Sequence, residues 1–381
     1  MSWPHVIGQH RIKDALRSAR KAGRLPHALL FYGAEGVGKD AMALELARVI
    51  RCERGEDEAC RVCSSCLRLD SLQHPDVQFV VALPRSPQEK EDDEPLAKLT
   101  DAEVHAVQEE LARKGANPYY RIEIAKANVI KINSIRAIRR ESSLSTTDNR
   151  RRVVIISGAD AMNDAAANTL LKTLEEPPGD TMLILTTAHR DALLPTILSR
   201  CQSFRFDLLA DEEIVKALIE RNGADPARAE LAARLANGSY THAQELLDDE
   251  VMQQRARALD FIRGALGNRT SELIEQIEGF AENRDRDAQT RFLNLVLVFL
   301  RDAMVLSHGG SVVNIDQIAE LRSFVEKFPA ADLPRALLDV EKSISLVERY
   351  TYIKLVFAQL AVRLRRAILP GAAEPRPRAK T

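Results

Sequence analysis

Two groups of residues in this chain of 381 have the types and spacing for chemistry. The first is Gly33-Ala34-Glu35-Gly36-Val37-Gly38-Lys39-Asp40, which keeps the G-x-x-x-x-G-K spacing of a phosphate-binding loop. Backbone N–H groups of such a turn, with the positive end of the helix that follows, form an anion site. The last residue departs from the pattern: Asp40 stands where a Ser or Thr hydroxyl normally ligates the Mg²⁺ of a bound nucleotide. A carboxylate about 4 Å from a phosphate charge costs up to ~4 kcal/mol at an effective dielectric of about 20. Asp40 could instead ligate Mg²⁺ itself, so the expectation is ATP binding that is weak or absent. The second group is Cys52-x7-Cys60-x2-Cys63-x2-Cys66. Two overlapping C-x-x-C steps with a fourth thiol nearby close a tetrahedral four-cysteine site for structural zinc, with no position left for a catalytic water. An iron–sulfur cluster uses similar spacing, but its bacterial pattern has Pro after the last Cys, where this chain has Leu67. Unliganded thiols are the third alternative.

The elements needed to position these groups are legible. The apolar residues 28–32 read as a buried strand before the loop, and 40–50 as a helix after it, with Met42, Leu44, Leu46, Ala47 and Ile50 in helical register. His74-Pro75-Asp76-Val77 turns into a strand through Val81. Residues 84–120 carry a charged run, Glu89-Lys90-Glu91-Asp92-Asp93-Glu94, turn helical at 101–114, and read as a solvated surface insertion. A helix follows, started by Ile130-Lys131-Ile132 and running through Arg140, then a strand at 152–156, a helix at 163–174, a strand at 182–187 and a short strand at 204–206. Continuously apolar strands separated by helices predict an α/β domain with a parallel sheet covered on both faces.

Beyond Asp207 the pattern is all-α. Asp211-Glu212-Glu213 opens a helix, 225–247 supplies two more around Gly238, and apolar stripes run through 291–306 and 341–369. The Pro-rich basic end, 370–381, is expected to be disordered. With 54 basic and 55 acidic residues, no global field draws the chain to nucleic acid or membrane. No apolar stretch approaches the roughly 20 residues of a membrane span, and Met1-Ser2-Trp3-Pro4-His5 lacks a signal-peptide core, so a cytoplasmic protein is expected.

The order of the motifs is specific. Ile7-Gly8-Gln9, the Gly-rich loop, the four cysteines, His74-Pro75-Asp76-Val77, Asn168-x2-Leu171-Lys172-x-Leu174-Glu175-Glu176-Pro177-Pro178 and Ser199-Arg200-Cys201 follow one another. In that order they resemble the bacterial clamp-loader subunits of the AAA+ class, over nearly the whole chain apart from the insertion and the tail. The resemblance implies a RecA-like AAA+ domain (1–207) with a zinc module at about 52–75 and the insertion at about 84–120. It also implies a helical lid (208–250) and an oligomerising collar (251–369). The partners it implies are gamma/tau ATPase subunits, a delta subunit, and, through the complex, the sliding clamp and primer–template DNA; a membrane is not among them.

Two subunit types share this pattern, and only the gamma/tau type hydrolyses ATP. Three departures favour the other. Asp40 replaces the metal-ligating hydroxyl. Ser157-Gly158 stand where the resemblance calls for Asp-Glu, the metal carboxylate and the water-activating base. Thr241, in Gly238-Ser239-Tyr240-Thr241, takes the place of the lid arginine. Ser199-Arg200-Cys201 is retained, and in the family its arginine crosses to a neighbour's nucleotide as a finger. The resemblance therefore implies no catalytic residue in cis and Arg200 in trans, the alternative being an active gamma/tau-type ATPase. Arg136, Arg139 and Arg140 share one side of a helix, and Arg150-Arg151-Arg152 precede a strand; phosphate contact and solvated faces both remain open for them.

Overall fold

The computed structural model describes residue 3 and residues 5–369, apart from 56, 87, 88, 91, 143–149, 268, 269, 283–285, 311, 315, 316 and 350; the Pro-rich end lies outside them. The chain divides into two compact units, Met1–Gly223 with Ala236–Ala243, and Ala224–Leu235 with Gln244–Thr381.

The first unit is built on five strands, β1 (Ala28–Tyr32), β2 (Val77–Val80), β3 (Arg152–Ile156), β4 (Thr181–Thr187) and β5 (Gln202–Arg205). They form one parallel sheet in the order β2-β3-β4-β1-β5. Its helices are α1 (His10–Lys21), α2 (Lys39–Arg51), α3 (Ser64–Asp70), α4 (Asp101–Ala116), α5 (Ile132–Ser142), α6 (Asp164–Glu175), α7 (Pro195–Leu198) and α8 (Asp211–Asn222). Alternate strand residues such as Leu30, Val154, Ile156, Leu183 and Leu185 pack with Ile135 and Ile138 of α5 and Leu170 and Leu174 of α6. The intervening residues Leu29, Phe31, Val153, Ile155, Met182 and Ile184 are buried as well, and α2 lies against β3 and β4. Burial on both faces is why these strands read as unbroken apolar runs.

Asp76 fixes the start of β2. Its carboxylate takes Arg51 Nη2 at 2.8 Å and Arg152 Nη2 at 3.1 Å, all three side chains being buried. The pair of cations balances a buried charge that alone would be costly. It also joins the end of α2 to β2 and β3.

The insertion differs from the solvated surface expected of it. Its helix α4 opens with a capping box between Thr100 and Glu103. Val107, Leu111 and Leu96 then pack with Val81, Leu83, Phe79, Ile122 and Ile124 in a small core. The acidic run hides that apolar set because its members are widely spaced along the chain.

The second unit holds α9 (Pro226–Leu235) and the long helices, while α10 (Tyr240–Glu245) begins in the first unit. The long helices are α11 (Asp249–Leu266), α12 (Thr270–Glu282), α13 (Arg286–Ser307), α14 (Ile318–Lys327), α15 (Leu333–Glu348) and α16 (Ile353–Ile368). Phe261, Phe292 and Phe357 form its centre, with Phe280 stacked on Phe357 at 4.7 Å between ring centroids. The stripe read as one helix over 341–369 is two. Asp332 caps α15, and Thr351 N–H donates to the Leu346 carbonyl as the chain turns into α16. Among the described residues no helix is long and apolar enough to cross a membrane.

Candidate functional site

The Gly-rich loop sits where its sequence puts it, between β1 and α2, with Gly38 in the left-handed region at φ 98° and Lys39 opening the helix. Gln9 clips the loop to the sheet: Nε2 donates to the Val37 carbonyl at 3.3 Å and to the Asp207 carbonyl at 2.7 Å. The lysine that would meet a nucleotide is folded back onto the loop. Lys39 Nζ donates to the carbonyls of Gly33 (2.8 Å) and Ala34 (2.6 Å). Burial lowers the Lys39 pKa, and the neighbouring Asp40 opposes that shift.

Asp40 is the centre of a closed polar network. Its Oδ2 takes Lys114 Nζ at 2.8 Å and the Ser157 hydroxyl at 2.9 Å; its Oδ1 takes the Thr186 hydroxyl at 2.7 Å. Burial pushes the carboxyl upward, but the Lys114 charge and the hydrogen bonds from Lys114, Thr186 and Ser157 prevail and hold it below its ordinary value. Two of the three departures read from the sequence thus bond to each other, Ser157 donating to Asp40. The cation in their midst is an ammonium from the insertion.

The third departure joins through Tyr119. Thr241 Oγ1 donates to the Tyr119 carbonyl at 2.7 Å, and the buried Tyr119 hydroxyl accepts Ile7 N–H at 2.7 Å. A Cβ built on Gly38 would lie 2.7 Å from the Tyr119 hydroxyl, and one on Gly36 would collide with Ser239 Oγ. In a nucleotide-binding loop glycines admit phosphate oxygens to the backbone. Here the close approach is taken by protein hydroxyls.

The four cysteines converge. Cys52 ends α2, Cys63 caps α3, Cys66 lies within α3, and the four Sγ atoms lie within 4.8 Å of one another. Tetrahedral zinc with bonds of about 2.3 Å needs sulfurs roughly 3.8 Å apart, so the set fits a metal ion such as zinc. Glu53 braces the start of α3: its Oε1 accepts Ser64 Oγ at 2.6 Å and Ser65 N–H at 3.1 Å. The Val62 N–H brings the Cys60 thiol down to about 6, whereas burial pushes Cys66 up.

Arg200 follows α7 at the start of β5, and its side chain is 35% exposed. Nε and Nη2 donate to Glu175 Oε1 at 3.0 and 2.5 Å, and Nη1 to the Thr196 carbonyl at 3.0 Å. Cys201 beside it is buried, its thiol pushed up to about 12, and packs in the core under the sheet. Sequence reasoning missed Lys114 and Tyr119, which belong to a distant segment, and did not pair Glu175 with Arg200. The Asn117-Pro118-Tyr119-Tyr120 aromatics after a charged helix were the available sign that the insertion turns inward.

A five-stranded parallel sheet in this order, with a Gly-rich loop after β1 and a helical region after β5, defines a P-loop-type AAA+ domain. The family model described as DNA polymerase III, delta subunit, matches residues 8–210. The chain belongs to this family, as a delta-prime-type subunit of the DNA polymerase III clamp loader. It is 30% identical over 313 residues to DNA polymerase III subunit delta' of Bacillus subtilis, covering 81% of each chain. It is 33% identical over 243 residues to subunit delta' of Pseudomonas aeruginosa, covering 63% of this chain and 61% of that one. Against subunit tau of Escherichia coli the identity is 28% over 252 residues, 65% of this chain but 32% of tau.

Proposed function

We propose that this chain is the non-hydrolysing stator of a clamp loader. It presents Arg200 to the ATP of a neighbouring gamma/tau-type subunit and helps load the sliding clamp onto primed DNA. The observation that carries the reading is the network around Asp40. Lys114 brings a positive charge to the place where Mg²⁺ would be ligated, Ser157 and Thr186 saturate the carboxylate, and Lys39 is folded onto its own loop. No carboxylate stands at Ser157-Gly158 to activate water, and Thr241 is bound to Tyr119. A Mg²⁺–nucleotide would have to displace Lys114 from Asp40 before the metal could be ligated there.

Arg200 suits the complementary role. A guanidinium is permanently charged and planar and bridges phosphoryl oxygens as charge develops on them. Its pair with Glu175 is half exposed, so releasing it costs about 0–1 kcal/mol, small beside a charge-assisted bond to phosphate. Cys52, Cys60, Cys63 and Cys66 would hold a structural zinc that locks α3 against α2, with no catalytic position. In the second unit Leu338, Tyr352, Leu355 and Val362 are exposed apolar side chains on α15, α16 and the turn between them, suited to packing against partner collars.

Calorimetric titration of the purified chain with Mg²⁺–ATP tests the reading. No heat of binding and no phosphate release are expected. Turnover that Lys39→Ala abolishes would make this an active gamma/tau-type ATPase instead.

A further inference from the structure

The insertion ends in a tight turn that follows from its sequence. Asn117 closes α4, its N–H still donating to the Arg113 carbonyl, and Pro118 stops the helix from continuing. Asn117 Oδ1 then takes the Tyr119 N–H at 3.1 Å, and its carbonyl takes the Tyr120 N–H at 2.8 Å, a turn that asparagine favours. Glu110, buried in α4, fastens the chain beyond the turn by accepting the Tyr120 hydroxyl at 2.8 Å and the Glu123 N–H at 2.7 Å. Gly115 lets the last turn of α4 lie against the end of α3, because a Cβ there would collide with the Asp70 carbonyl. Held on these sides, the turn carries Tyr119 inward, where it is only 3% exposed.

There Tyr119 meets two distant parts of the chain at once. Its hydroxyl accepts Ile7 N–H, and its carbonyl accepts the Thr241 hydroxyl. Its ring meets that of the buried Tyr240 edge-on, with centroids 4.8 Å apart. Arg221 of α8 lies over both rings, 5.8 and 5.9 Å from their centroids, and donates to the His5 carbonyl at 3.2 Å. Residues 236–243 touch the Gly-rich loop directly through the Tyr240 N–H, which donates to the Gly36 carbonyl at 3.1 Å. One backbone bond is a weak tether, whereas a buried aromatic pair flanked by two hydrogen bonds is a firm one.

We infer that residues 114–120 are a permanent internal ligand of the Gly-rich loop, a strap that keeps residues 5–9 and 236–243 seated on it with no nucleotide bound. Lys114 supplies the charge at Asp40, and Tyr119 supplies the surface on which the two segments rest. Without the Tyr119 side chain both segments loosen locally while the sheet stays closed. The inference builds on the closed loop of the proposed function but not on Arg200 acting in trans. It is read on the isolated chain without ATP, so the two readings fail separately.

The test is hydrogen-exchange mass spectrometry on the full chain, comparing the native protein with Tyr119→Ala, Tyr119→Phe and Thr241→Val. In Tyr119→Ala the amides of residues 5–9 and 236–243 should exchange faster by roughly tenfold or more, with β3 and β4 as protected as in the native chain. Tyr119→Phe removes only the hydroxyl, so it should free one amide within residues 5–9 and leave 236–243 protected. Thr241→Val should loosen 236–243 alone. These two variants change few atoms and decide the matter even where Tyr119→Ala fails to fold. Unchanged exchange in the two segments overturns the strap. Faster exchange that extends through β3 and β4 would make Tyr119 an ordinary core side chain and overturns it as well.

Discussion

Replacing Lys114 by Met removes the ammonium but keeps most of the aliphatic stem, leaving the Asp40 carboxylate without its counter-charge. The Lys114 side chain is 6% exposed and that of Asp40 20%. Breaking a fully buried pair costs about 3–5 kcal/mol. Asp40 keeps two hydroxyl donors and some solvent, so the expected loss is about 2–3 kcal/mol. Asp40→Asn retains the hydroxyl contacts, and Lys114 retains the Tyr120 carbonyl at 2.9 Å, so about 1–2 kcal/mol is expected there. In the double variant no uncompensated charge remains. It should be no less stable than Lys114→Met alone, a coupling of about 1–2 kcal/mol. Trp3 is the sole tryptophan and is fully buried, with Nε1 donating to the Asp57 carbonyl, so its fluorescence in a urea titration reports the first unit. A loss below about 0.5 kcal/mol for Lys114→Met, or strictly additive losses, would refute the sealed-loop account.

Further outcomes follow from the same contacts. The Asp40 carboxyl titrates below its ordinary value of 3.8, so its stabilisation is complete above that pH and disappears as pH falls through the lower native value. The stability gap between the native chain and Asp40→Asn should therefore be constant from neutral pH to about 5 and close in stronger acid; a gap that closes near neutrality contradicts the assignment. Elemental analysis should find about one zinc per chain, and a strong chelator should release it and perturb Trp3, whose partner Asp57 lies in the Cys52–Cys60 loop. A metal-free chain with unchanged fluorescence would leave the cysteines as free thiols. Glu175→Gln loosens the Arg200 pair, so a reconstituted loader carrying it should keep or raise its ATPase; a loss as large as that of Arg200→Ala would make Glu175 a participant in its own right.

What the sequence disclosed was what short-range pattern encodes. The central strands are continuously apolar because both faces are covered, and the loop's glycines and the cysteine spacing are local signatures of backbone approach and tetrahedral ligation. Asp332-Leu333-Pro334 is a local signal for the start of α15 as well, but the stripe over 341–369 was read without it. Contacts between distant segments were not legible. Asp40 looked like a defect because its partner, Lys114, lies in a charged insertion with no periodic link to the loop. Arg200 was identified by its flanking Ser and Cys, but its pairing with Glu175 depends on how α6 ends beside α7. The acidic run at 89–94 read as solvated; its opposing cations at 131–140 were visible, yet nothing in either segment specified the match.

The central claim, that this chain completes a neighbour's site and does no phosphate chemistry of its own, is tested most directly by two single variants in a reconstituted clamp loader. With DNA and clamp present, Arg200→Ala should leave assembly intact and lower turnover at the completed site by roughly 10³-fold or more, whereas Lys39→Ala should leave ATPase within about twofold of native. The reverse pattern, activity lost with Lys39→Ala and kept with Arg200→Ala, would contradict it.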